Sequence, residues 1–181
     1  MTIKEAAIGV VAVAAAAVSI YIAVVGGSPK INLETYNVLG AVTAEETAKL
    51  LAGKGRVLAM ARGSGSAVNP SVEAQLKAFR DALKKRGSFE VRTEKVEGDP
   101  MQMMATGGGI SNELLFKALD THQGLAALVL FLGFPPLSDD EVGKLQKYGV
   151  KIVLVSPFQP DVHRLLERRV IQMAVVPKPD R

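Results

Sequence analysis

Twenty consecutive residues near the amino terminus, Ala6 to Val25 (AAIGVVAVAAAAVSIYIAVV), carry no charge and no proline. As a helix they would reach about 30 Å, the thickness of a bilayer's hydrocarbon core. A cleavable leader has a shorter apolar core followed by small residues at the cut, and Ala17-Val18-Ser19 and Val24-Val25-Gly26 both qualify as cleavage sites. The length of the run favours a retained anchor over residues 1–27. Ala15, Ser19, Ala23 and Gly27 recur at every fourth position. This stripe is either a face for close packing against another membrane helix or a chance product of an alanine-rich segment. Lys4 and Lys30 flank the run, so the positive-inside rule barely chooses an orientation.

Beyond the run the pattern is that of a water-soluble domain. Gly26-Gly-Ser-Pro29 breaks the helix and begins a linker expected over 28–42. The remaining roughly 140 residues suit one domain, 43–181. A net charge of +4, mixed along the chain, leaves no basic stripe for nucleic acid. Cysteine is absent, which removes disulfides, thiol nucleophiles and thiolate metal sites.

Strands and helices then alternate. Thr43-Ala-Glu-Glu46 reads as a capping box opening a short helix, Ala44 to Leu51. Arg56–Ala61 reads as a strand. Asn69 caps a helix with Pro70 at its first position, running to about Arg86. Phe89–Val96 alternates apolar and polar residues, as in a strand exposed on one face. Asn112–Asp120 reads as a helix. Leu125–Leu132 is apolar throughout, as for a parallel strand covered on both sides. Ser138-Asp-Asp-Glu141 is a second capping box, with Leu137 and Val142 at staple positions. Val150–Val155, a helix over Pro160–Arg168 and a strand over Val170–Val176 complete the order. The expected fold is α/β, a three-layer Rossmann-like arrangement. It has a five-stranded, mainly parallel sheet flanked by helices and is preceded by one transmembrane helix.

Arg56–Pro177 resembles the first lobe of type I periplasmic sugar-binding proteins and the related repressor effector domains. The matching residues are VLAMARGSGSAVNPSVEAQLKAFRDALKKRG, Asp99, ALVLFLG and KLQKYGVKIVLVS. The resemblance implies a lobe that clamps a sugar against a second lobe. This chain is expected to hold one lobe only, which would leave a small ligand half exposed.

In an open parallel sheet, ligands sit outside the carboxyl ends of the strands. Arg62–Val68, Gly133–Leu137 and Ser156–Gln159 are the loops expected there. Gly63-Ser-Gly65-Ser precedes a helix, so its backbone N–H groups suit an anion, but the dinucleotide and Walker patterns are incomplete. Ser64, Ser66, Asn69, Phe134 and Phe158 are the candidate ligand- or partner-binding residues. The two phenylalanines either stack on a sugar, seal the rim of the sheet or meet a protein partner. Met101, Met103, Met104 and Gly107–Gly109 read as a binding loop with soft methionine contacts or as a plain connection. His122 and His163 lack partners at metal spacing, no hydroxyl has an evident base, and no cofactor motif is complete, so no catalytic residue, metal or cofactor is expected. The basic carboxyl terminus (Arg164, Arg168, Arg169, Lys178, Arg181) is either a solvated face or a contact for lipid headgroups or an acidic partner.

Two functions are expected from this pattern. One is a non-catalytic accessory subunit of a membrane assembly, single-pass in a bacterial-type cell membrane with its domain on the extracytoplasmic side. Its partners are membrane lipid and another membrane protein or a second copy. The other is a binding module for a small polar, sugar-like ligand, completed by dimerisation.

Overall fold

A computed structural model of the chain describes residues 31–63, 65, 68–97, 109–155 and 161–176. The fold belongs to the unit Leu33–Arg181. Its elements are helix α1 (Glu34–Leu50), strand β1 (Lys54–Arg62), α2 (Pro70–Lys84), β2 (Ser88–Val96), α3 (Asn112–Thr121), β3 (Ala127–Phe131), α4 (Asp139–Lys147), β4 (Lys151–Val155), α5 (Val162–Glu167) and β5 (Met173–Val175). The five strands lie in the order β2-β1-β3-β4-β5, every neighbouring pair parallel. The α/β sheet expected from the sequence is therefore present. No helix among the described residues is long and apolar enough to cross a membrane. The expected span, Ala6–Val25, with Ala15, Ser19, Ala23 and Gly27, lies outside them.

Side chains alternate across a strand, and here the alternation also sorts by size. Val57, Ala59, Ala61, Ala127, Val129, Val153 and Val155 bury one face of the sheet with Leu76, Phe79 and Leu83 of α2 and Ala44 and Ala48 of α1. Leu58, Met60, Leu128, Leu130, Leu132, Ile152 and Leu154 bury the other, with Leu115, Phe116 and Leu119 of α3 and Val142 and Leu145 of α4. The split follows from handedness. The step from β1 to β2 runs one way across the sheet and the later steps run the other way. Right-handed crossovers therefore put α2 on one face and α3, α4 and α5 on the opposite one.

The helix before β1 differs from the expected one. It begins at Glu34, inside the stretch expected to be linker, and not at Ala44. Thr43 does not cap it. Its hydroxyl donates back to the Leu39 carbonyl at 2.7 Å, and Thr47 repeats this with the Thr43 carbonyl at 2.7 Å. Both threonines are buried, so this bonding satisfies groups that would otherwise cost free energy. Gly40, Thr43, Ala44, Thr47 and Ala48 form the buried face at helical spacing. Their small size lets α1 approach α2 closely. A Cβ at Gly40 would lie 2.3 Å from the Gln75 carbonyl oxygen and 3.0 Å from the Phe79 amide nitrogen.

Gly40→Ala is expected to lower stability by about 1–3 kcal/mol, the cost of forcing two packed elements apart. Gly143→Ala on α4 should do the opposite. A Cβ there meets nothing within 4 Å, and replacing a helical glycine by alanine gains about 0.5–1 kcal/mol. Urea midpoints of the two variants test both signs.

Candidate functional site

The order of the strands switches between β1 and β3. The helix after β1 leaves on one face and the helix after β3 on the other, and in an open α/β sheet the carboxyl ends of the strands at such a switch point are where ligands bind. On the β1 side the chain is held by Gly63, whose N–H donates to the Val96 carbonyl at 2.9 Å. On the β3 side Gly133 bridges Gly109, and the Ile110 N–H donates to the Gly133 carbonyl at 3.3 Å. A Cβ at Gly109 would lie 2.8 Å from the Gly133 oxygen, so a glycine is what lets the chain cross here. The glycine run read as a plain connection or binding loop thus ends in a defined bridge.

Three helices start at this edge, each with a side-chain cap. The Asn69 carbonyl oxygen accepts from the Ser71 and Val72 N–H groups at 3.1 and 3.4 Å. The Ser111 hydroxyl accepts from Leu114 N–H at 3.2 Å. Ser138 and Glu141 form the capping box that their spacing predicts. Asn69 is exposed, and its cap uses only the oxygen, so its Nδ2 donor group has no partner among the described residues.

The positive ends of these helices already face carboxylates of the same chain. Glu141 accepts from the Ser138 N–H at 2.8 Å and from Asn112 Nδ2 at 2.9 Å. These bonds, the Ser138 N–H first, hold its carboxyl below the usual range. Glu73 in the first turn of α2 pairs with Lys95, and Asp139 pairs with Arg168. Glu97 lies beside Gly63, its Cγ 2.9 Å from where a Cβ would stand. The edge therefore suits an uncharged ligand with hydroxyl groups better than an anion.

Of the three roles expected for Phe134, stacking on a sugar, sealing the rim or meeting a partner, its burial suits the second: it is 2% exposed and belongs to the core cluster that holds Leu132 and Ile110. Val68, at the end of the loop after β1, is 73% exposed. Ser64, Ser66 and Phe158, like the methionines of the glycine-rich loop, lie outside the described residues. His122 sits at the carboxyl end of α3, away from the capped start of that helix, and bonds Glu94 across 2.6 Å. Nothing in the sequence pattern points to that pair, because 28 residues separate its members. Among the described residues no cluster of metal-ligating side chains is found.

No protein-family model and no curated protein matches the chain. Solved structures match by shape. The XylFII molecule superimposes with a TM-score of 0.57 at 16% identity, over 79% of this chain and 49% of its own. A periplasmic sugar-binding protein of an ABC sugar transporter from Legionella pneumophila gives 0.52 at 14% identity, over 77% of this chain and 48% of its own. AraP, an arabinose-binding protein from Geobacillus stearothermophilus, gives 0.52 at 15%, over 75% and 43%. The chain has the fold of these proteins and spans about half their length or less.

The capping box gives a pH signature. A carboxyl held below its unfolded value adds stability that is complete above the ordinary value of 4.5 and disappears as pH falls through the lower folded value. Glu141→Gln should therefore be less stable than the parent at pH 7, and the difference should shrink as pH falls below 4.5. Ser138→Ala should cost about 1 kcal/mol. Thermal melts across that pH range check both.

Proposed function

We propose that this domain is a binding lobe for a small, uncharged, polyhydroxylated ligand of the sugar class. What supports the reading is the switch in strand order between β1 and β3, with an exposed Asn69 nearby whose Nδ2 has no partner among the described residues, in a fold shared with sugar-binding proteins. The internal pairing of the first-turn carboxylates supports a neutral ligand. One lobe buries one side of a ligand, so the other wall comes from a second lobe. Ser64, Ser66 and Phe158 are proposed to complete the rim on this side. No catalytic step is part of the reading.

The apolar run Ala6–Val25 supports a tether to a bacterial-type membrane, with the lobe on the extracytoplasmic side. An accessory-subunit role in a membrane assembly is the second reading. It is supported by exposed Val38 and Val42 on α1, which invite a protein contact.

Thermal-shift and calorimetric titration with pentoses and hexoses test the first reading. A sugar at a hundred times its Kd should stabilise the fold by about 2.7 kcal/mol. Asn69→Asp keeps the helix cap and removes the Nδ2 donor, so its melting temperature should stay near the parent's while the sugar-dependent rise is lost. If no sugar moves the parent's transition, the sugar-binding reading is wrong.

A further inference from the structure

The carboxylate of Glu141 serves two different connections of the chain. Its Oε2 accepts from the Ser138 N–H at 2.8 Å and from the Ser138 hydroxyl at 2.9 Å. A capping box asks for no more than this, because one oxygen at the third helical position closes it. The other oxygen, Oε1, accepts from Asn112 Nδ2 at 2.9 Å. Ser138 caps α4 in the connection after β3, whereas Asn112 is the first residue of α3, in the connection after β2. One half-buried side chain thus spans two helix starts. Lys144, one turn along α4, lies over the Phe116 ring, 4.4 Å from its centre, and makes no ion pair with Glu141 among the described residues. Both oxygens are left to uncharged donors.

The same two connections meet at a second point, where Gly109 bridges Gly133 and the Ile110 N–H donates to the Gly133 carbonyl at 3.3 Å. That bond is at the weak end of the range. Ser111, the next residue, is the cap of α3. The backbone from Gly109 to Ser111 is therefore held on one side by a weak bond and continues on the other into a helix start that Glu141 anchors to α4.

We propose that Glu141 is a positioning residue of the carboxyl edge, whose bond to Asn112 fixes the Gly109–Ser111 backbone against the end of β3. The effect on a ligand rests on the sugar-lobe reading, whereas the tie itself does not. A hydrogen bond to a charged group is the stronger kind, so its loss should let the segment open about tenfold more often.

Asn112→Asp separates this role from simple stability. It sets a second carboxylate against Glu141 and cuts the tie, while an acid in the first turn of α3 suits the helix dipole, so the urea midpoint should stay near the parent's. Adding Glu141→Gln restores the tie with the roles exchanged. The glutamine oxygen keeps the Ser138 N–H, and its amide donates to the new carboxylate.

Amide exchange of the full chain, without ligand, is the first measurement. The Ile110 N–H is expected to exchange about tenfold faster in Asn112→Asp, with β1 and β3 amides unchanged, and to return to the parent's rate in the double variant. An unchanged Ile110 rate overturns the proposal. So does faster exchange across the whole sheet, or faster exchange that the double variant leaves in place. Calorimetric titration with arabinose, glucose and galactose is the second measurement. The Kd of a sugar that binds the parent should rise about tenfold in Asn112→Asp and recover in the double variant. Equal Kd values in the parent and Asn112→Asp overturn the positioning role even where exchange responds. If none of the three sugars binds the parent, the sugar-lobe reading fails for them, and the Ile110 rate still decides whether Glu141 fixes the segment.

Discussion

The sorting of side chains by size across the sheet governs the architecture. β1 alternates Val57, Ala59 and Ala61 on one face with Leu58 and Met60 on the other, and β3 and β4 repeat the division with Ala127, Val129, Val153 and Val155 against Leu128, Leu130, Ile152 and Leu154. Large residues on one side fill the space under α3 and α4. Small residues on the other side let α1 and α2 settle close to the strands, with Phe79 supplying bulk from the helix and meeting Phe131 edge to face at 5.4 Å between ring centres. Close packing has no slack for an added carbon in such a layer. That is why a glycine stands in α1 where its backbone passes Gln75.

The switch point is a consequence of this layering. Once β1 sends its helix to the small-residue face and β3 sends its helix to the large-residue face, the two connections part above the sheet. What remains at the divide is fixed by backbone contacts, Gly63 with Val96 and Gly109 with Gly133, and by three caps. The described part of this edge is built from backbone and short polar side chains, which offer hydrogen bonds without net charge. Phe134 supports it from the core, buried in the cluster that holds Leu132, Ile110 and the α3 side chains.

Much of this was legible in the residues. The second capping box, the Asn69-Pro70 helix start, and the continuous apolar runs of β3 and β4 each announce themselves through local chemistry. Helix α1 did not, because its buried face is built from Gly40, Thr43, Ala44, Thr47 and Ala48. Those residues keep a strict helical period in size, while their hydropathy is nearly flat, so an apolar periodicity cannot reveal them. Thr43 followed by Glu46 imitates a cap, and only burial shows that the hydroxyl turns back to Leu39 instead. Phe134 illustrates the converse. An aromatic in a loop at the carboxyl edge can point up to a ligand or down to the core, and sequence spacing carries no information about which. The Glu94–His122 pair and the Gly109–Gly133 bridge are likewise products of tertiary placement alone.

The same cause leaves α1 with its outward valines. A helix that must present small residues inward to come close to α2 has spent its inward positions on packing distance and gains little apolar burial from them. Leu39 and Leu50 pack partly against the small-residue face of the sheet, whereas Val38 and Val42 stand on the outside, 55% and 44% exposed. In an ordinary amphipathic helix the hydrophobic gain and the close approach come from one face. Here they are divided between two faces. The inner face fixes α1 to its own domain through shape, and the outer one keeps an unspent hydrophobic gain that only a second surface can realise.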